Sequence, residues 1–332
     1  MNVSPGGSLA DLFTRDQTYY TPFSCVIACD HDFDTISLIN TTARFASTPF
    51  YAAGIHGFYG YIFADLVGHD FVIEREKSNI ATKPQPETLT RSVLSVTDKR
   101  EPNGKTTEIV KKQEIYCPLI LANSSPLALD VTSNRRKLRS VPPLLPALRA
   151  LFDFQRSFKR LPDMHLKEDI GAFTALATTK SRELQLPAEL INAEFLRKFI
   201  QNIGAEIVPT AAFIGGRLSE DVINVLGKRE QPIQNFALFD GDTMDGRIYC
   251  LYTPPPELAM VGHMDGTAGM NGAMGMDITG MNGGMGIAMG MGIQPDLGLA
   301  DGGINPPLPP TVDERDVNGM AAPQDVSAAP PG

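Results

Sequence analysis

The chain is 332 residues long and carries 38 acidic and 29 basic side chains, a formal charge of −9. The last 79 residues, from Pro254, hold nine acidic residues and one basic residue, Arg315, so −8 lies there and only −1 on the preceding 253; that body is too near neutral to build the basic field that nucleic acid requires. No run of about 18 apolar residues is present to cross a bilayer as a helix, and the start MNVSPGGSLADLF lacks the basic-then-apolar order of a secretory leader. An intracellular chain with its four cysteines reduced is therefore expected.

Residues 1–18, polar and holding Pro5, Gly6 and Gly7, read as a flexible leader. Phe23–Cys29 is a short, nearly continuous apolar run, the pattern of a strand buried on both faces. Ile36, Ile39 and Ala43, at spacings of three and four, predict an amphipathic helix with Asp32 or Asp34 as its cap, ended by Thr48-Pro49. Phe50–Ala53 is a second strand, so residues 23–53 form a strand, helix, strand unit whose simplest arrangement is a right-handed parallel crossover. Tyr61–Leu66 and Phe71–Ile73 read as strands around a turn at Gly68-His69-Asp70, and Glu74–Lys77 as a boundary. Thr88–Thr97 and Thr106–Tyr116 flank Glu101-Pro-Asn-Gly104, a hairpin signal.

Leu144, Leu148, Leu151 and Phe158 place a helix over 144–160, and Pro187 opens another through Ile191, Phe195 and Phe199 to a stop at Gly204. Ile207, Ala211, Ile214, Leu218, Val222 and Val225 then step by four or three, a long core-facing stripe. Gly215 and Gly216 interrupt its propensity at about 1 kcal/mol each, which close packing against another backbone would offset. Gln231–Phe239 and Arg247–Tyr252 bracket Asp240–Gly246 as two antiparallel strands. The segment after Pro254 holds 16 of the 30 glycines and 10 of the 13 methionines without apolar periodicity, and reads as a disordered Met/Gly/Pro-rich tail.

Isolated motifs carry little chemistry. Cys25, Cys29 and His31 imitate a metal site, but four residues of strand span about 13 Å, more than one zinc ion or a disulfide bridges. Cys117 and Cys250 lack the neighbouring His and acid of a thiol nucleophile. Asn103-Gly104-Lys105-Thr106 resembles the end of a phosphate loop, yet Lys99 stands where its first glycine belongs. Gly54, Gly57 and Gly60 have the wrong spacing for a dinucleotide fingerprint and read as turns between strands. Arg135-Arg-Lys137 and Arg139 form a basic cluster, a solvated loop face or a nuclear address.

The order of segments is more specific. Phe23–Asp32, then Pro49 through Gly57-Phe-Tyr-Gly60 to Ala64, then Gly215-Gly216-x-Leu218, Val222-Ile223 and Asn235-Phe236-x-x-Phe239-Asp240-Gly241 resemble the smaller, regulatory subunits of heterodimeric SUMO-activating enzymes, within the ubiquitin-like-activating and ThiF families. The resemblance covers Tyr19–Tyr252, loosely in the middle. It implies an α/β fold: a doubly wound, Rossmann-like adenylation domain, here incomplete, formed by 19–74 and 205–253, with a hairpin and mostly helical insertion at 75–204 and the tail at 254–332. It also implies a subunit without catalytic, cofactor or metal residues of its own, acting with a catalytic subunit that binds ATP and magnesium and carries the cysteine that accepts SUMO before the conjugating enzyme does.

Gly215, Gly216, Leu218, Asn235, Phe236, Phe239, Asp240 and Gly241 become structural or interface candidates. The resemblance implies that active relatives hold magnesium with an Asp that His31 replaces; Asp30 or Asp32 is left as a residual metal ligand or, the favoured reading, as a cap of the next helix. The family's earlier strands, first helix and an arginine aimed at the partner's nucleotide have no counterpart before Tyr19, so an N-terminally truncated chain with an unpaired sheet edge is expected. A neddylation subunit, whose insertion is larger, a self-sufficient ThiF-type enzyme and a non-enzymatic remnant are the rivals. The nucleus, with the cytoplasm, is the expected location.

Overall fold

The computed structural model describes residues 18–254 other than Ser78, Ile80, Glu101 and Asn103; the expected leader and tail fall outside these apart from Thr18 and Pro254. Among the described residues the chain is a mixed α/β structure. Strand β1 (Val26–Cys29) leads through helix α1 (Phe33–Phe45) to β2 (Phe50–His56), which pairs with β1 in parallel, as the apolar spacing predicts. Asp32 caps α1, its Oδ1 accepting the Thr35 N–H at 3.0 Å. Strand β3 (Tyr59–Asp65) returns antiparallel after a turn at Gly57, whose φ of +60° suits glycine. Two late strands, β8 (Phe236–Asp240) and β9 (Asp245–Tyr249), complete a five-stranded sheet in the order β1-β2-β3-β8-β9.

Side chains alternate across this sheet with period two. Phe50, Ala52, Tyr61, Phe63, Phe236 and Leu238 share one core with Phe33, Ile36 and Ile39 of α1 and with helix α5 (Leu144–Phe158). Tyr51, Ala53, Ile62, Ala64 and Phe239 face the other way, onto Ile214, Leu218 and Val225 of helix α8 (Val208–Gly227). Helices thus cover both faces. Strand β1, expected to be buried on both, is an edge: Ile27 is 49% exposed and Cys29 is exposed, because β2 is its one strand neighbour among the described residues.

A second, antiparallel sheet is formed by β4 (Gly68–Glu76), β5 (Gln85–Pro86), β6 (Arg91–Arg100) and β7 (Thr106–Ile115), in the order β4-β7-β6-β5. Gly68-His69-Asp70 is the start of β4 and not the expected turn. The chain reverses at Val67, with φ +61°, where the Asp65 carboxylate accepts the Val67 N–H at 3.1 Å and stabilises the bend locally. Glu74–Glu76 likewise continue the strand instead of ending it: Arg75 lies opposite Glu108 on β7 and donates to it at 3.0 Å, so these charges are cross-strand partners.

Beyond β7 come three short helices, α2 (Leu119–Ala122), α3 (Leu129–Thr132) and α4 (Arg135–Arg139), then α5, α6 (Lys167–Glu183) and α7 (Ala193–Asn202). Helix α6 escapes the periodicity argument because Phe173 and Ala177 are its only fully buried apolar residues. The expected helix from Pro187 breaks in two: residues 188–190 form a 3₁₀ turn, and Asn192, accepting the Phe195 N–H at 2.7 Å, caps a new start. Phe173, Ala177, Leu196 and Phe199 join the core of α1 and α5, so the helices of 75–204 have no core separate from that of the main sheet.

Candidate functional site

In open sheets with parallel strands, ligands collect at the strands' carboxyl ends. Here β1 and β2 end at Cys29-Asp30-His31-Asp32 and at His56. Asp30 adopts φ +53° and its Oδ1 accepts the Ile55 N–H at 3.3 Å, tying the two ends together. Asp32 is committed to α1, receiving the Thr35 N–H and the Thr35 hydroxyl at 2.6 Å. Partial burial pushes its carboxyl up, but these bonds outweigh that and leave it below the ordinary value. His31 is exposed.

His56 lies between the rings of Tyr61 and Phe199 and its Nδ1 accepts the Gly204 N–H at 3.3 Å; burial pushes its pKa down to about 4, so it is neutral at pH 7. Burial raises the Cys25 thiol to about 11 and also raises Cys29, the reverse of an activated nucleophile. The strand ends do not fit a magnesium-bound nucleotide. Asp30 and Asp32 already serve the backbone, and among the described residues no cluster of three or more His, Cys, Asp and Glu gathers to hold a metal ion.

The other candidates lie around α8 and β8. Asn235 is fully buried and works as a clip: its Nδ2 donates to Leu251 O at 3.0 Å, its Oδ1 accepts Leu251 N–H at 2.9 Å, and its carbonyl accepts Ala64 N–H at 2.8 Å. Phe236 stacks on Tyr61 with centroids 5.7 Å apart, and Phe239 on Phe213 at 4.0 Å. The Asp240 carboxylate accepts the Asp242 N–H at 2.9 Å, and Gly241 donates to Phe58 O at 2.8 Å, so close that a Cβ at Gly241 would stand 2.8 Å from that oxygen. These residues anchor the β8–β9 hairpin to β3.

Gly215 and Gly216 behave otherwise. Leu218 is buried, but a Cβ at either glycine would meet nothing within 4 Å. The expected close backbone does not exist among the described residues, and Ala211 of the expected stripe is exposed as well. Gly54 and Gly60, expected in turns, stand inside strands where a Cβ would strike the Tyr61 ring at 2.5 Å and Ile214 at 2.8 Å.

Two buried networks carry no sequence signature. Asp221 on α8 accepts the Tyr51 hydroxyl at 2.7 Å and the Ile233 N–H at 3.0 Å; burial raises its carboxyl despite both bonds. Asp65 joins Arg44 at 2.6 Å and Asn40 at 2.8 Å, and Asn40 in turn accepts the Leu119 N–H. The bonded pairs named lie 12 to 170 positions apart, beyond any local pattern.

No family model matches the chain. It is 33% identical over 243 residues to the DNA damage tolerance protein RHC31 of Saccharomyces cerevisiae, covering 71% of this chain and 67% of that protein. It is 29% identical over 240 residues to rad31 of Schizosaccharomyces pombe, covering 71% and 63%, and 26% identical over 251 residues to human SUMO-activating enzyme subunit 1, covering 73% and 66%. The chain thus spans about two thirds of the length of these curated relatives. On that identity and coverage, it belongs to the family of SUMO-activating enzyme subunit 1 and the yeast proteins RHC31 and rad31.

Proposed function

We propose that the chain is the non-catalytic subunit of a SUMO-activating heterodimer, supporting ATP-dependent adenylation of SUMO and its transfer to a cysteine of the partner. The observation that carries this is the match over 240 to 256 residues to RHC31, rad31 and the vertebrate subunits. Protonated, burial-shifted thiols and the commitment of Asp30 and Asp32 to the backbone support a supporting role for this chain, with ATP and magnesium on the catalytic subunit. In this reading the sheet of β1-β2-β3-β8-β9 is a ThiF-type adenylation fold contributed by 19–74 and 205–253, with 75–204 inserted, and the enzyme works in the nucleus.

The contact with the catalytic subunit runs along α8, including Gly215 and Gly216, and over the β8–β9 hairpin. Helix α8 has three ionisable residues in 20, Arg217, Glu220 and Asp221, the last of them buried, while Val208, Phe213, Ile223 and Leu226 are exposed. A helix so apolar on all sides is ordinarily covered, and a neighbouring backbone over the glycine pair offsets their propensity cost.

The test mixes the purified chain with a catalytic subunit, SUMO and Mg-ATP. The expected result is co-elution and an ATP-dependent SUMO thioester on the partner. Separate elution without thioester, or ATP–pyrophosphate exchange by this chain alone, overturns the proposal.

A further inference from the structure

The short helices α3 and α4 take no part in either site. Between Leu127 and Val141, both buried, none of residues 129–140 is buried. Val131 and Leu138 are the residues of this stretch that pack against the main core, each partly buried. Polar contacts hold the rest. Asn134 caps α4, its Oδ1 accepting the Arg136 and Lys137 N–H groups at 3.0 and 3.2 Å, and a Lys137–Asp130 ion pair at 2.8 Å ties the two helices. A segment with so little apolar burial opens locally at low cost while the core stays closed.

Ser133 sits at the junction of α3 and α4. It is exposed, and its hydroxyl has no hydrogen-bond partner among the described residues. The nearby hydroxyls are committed: those of Thr132 and Ser140 donate to the carbonyls of Leu129 and Lys137, at 3.3 and 2.7 Å. Arg135 and Arg136 follow Ser133 by two and three residues, within about 11 Å of backbone even when fully extended, and Arg139 lies one turn further. All three arginines are exposed and have no ion-pair partner among the described residues. A free hydroxyl beside guanidinium groups that lack an anion is a place where a phosphate forms new charge-assisted bonds.

We propose that Ser133 is a phosphorylation site for a protein kinase that selects arginine on the carboxyl side of its acceptor. The γ-phosphoryl group of ATP passes to Ser133 Oγ. The bond from phosphorus to the β,γ-bridging oxygen breaks, ADP leaves with its electron pair, and the hydroxyl proton passes to the base of the kinase. The product carries a charge of about −1.5 to −2 at pH 7, within reach of Arg135 and Arg136. Most of the unpaired positive charge around α4 is thereby neutralised, and the new ion pairs brace a helix that packing leaves loose.

The test treats the full chain with protein kinase C and Mg-ATP and locates phosphate by mass spectrometry. Phosphate at Ser133 is expected, lost in S133A and lowered at least fivefold in R135Q/R136Q, with circular dichroism of both variants unchanged. In the phosphorylated chain, hydrogen exchange over residues 135–140 should slow at least threefold. Absence of phosphate from the folded chain, phosphate at Thr132 or Ser140 in place of Ser133, an undiminished yield in R135Q/R136Q, or unchanged exchange after phosphorylation each overturns the proposal.

Discussion

The two faces of the main sheet are built from the same strands and are covered very differently. On one side, Phe50, Phe63, Tyr61 and Phe236 lie under α1 and α5, with Phe173 and Phe199 of α6 and α7 continuing the same core. On the other, α8 is the one helix over Tyr51, Ile62 and Phe239 among the described residues, joined by Leu66, Tyr116 and Ile233 from the adjoining segments. Ile27 pairs with Tyr51, and Ile248 with Ala237, so both share the α8 face, yet each stays nearly half exposed at 49% and 47%. The difference separates residues that make the fold from residues free to meet another surface.

The largest test of that division is Phe63→Ala, on the thickly covered face. Phe63 is fully buried, so denaturant titration should show a loss of about 3–5 kcal/mol. A loss below about 1 kcal/mol would mean that this face is looser than its burial indicates.

Next in size is an acid limb. His56 is held neutral in the folded state, so the unfolded chain binds the extra proton between pH 6.5 and about 4, and stability falls as pH drops through that window. The expected loss between pH 6.5 and 5 is about 1.5 kcal/mol. His56→Gln should flatten this part of the pH–stability curve; an unchanged slope would show that His56 is not its source.

Asp32→Ala removes the α1 cap and should cost about 1 kcal/mol by the same titration. Because its folded carboxyl titrates below the ordinary value, the wild-type contribution is present above about pH 4 and is lost as pH falls further. A stability equal to wild type at pH 7 would contradict the cap assignment.

The smallest effect has the opposite sign. Gly215→Ala and Gly216→Ala meet open space on α8 and should each stabilise the isolated chain by about 0.4–1 kcal/mol. The same changes should weaken co-elution with the catalytic subunit. Stabilisation with undiminished pairing would remove the glycines from the proposed contact.

Much of the fold was legible because its signals are local. The β1-α1-β2 unit follows from three apolar clusters and Asp32, the β6–β7 hairpin from Pro-Asn-Gly104, and α5 and α8 from their apolar spacing. The errors arose where a partner distant in sequence decides. Charges at Glu74–Glu76 look like a boundary until Glu108 is placed opposite Arg75. Gly68 suggests a turn, but Asp65 bends the chain earlier. Of the candidate residues, Asn235, Phe236, Phe239 and Gly241 act together as anchors of one hairpin, whereas Gly215 and Gly216 do not share that packing.

By itself the sequence determined the β1-α1-β2 parallel pairing, the β6–β7 hairpin, helices α5 and α8 and the order of segments that marks the family, because propensity, capping and periodicity act over a few residues. Tertiary structure alone decided that the two faces of β1 are not both buried, that the helices of 75–204 complete the core of the main sheet, and that Asp221 and Asp65 are buried in networks. Burial and its polar compensation depend on which distant groups arrive at the same place, and no local pattern encodes that.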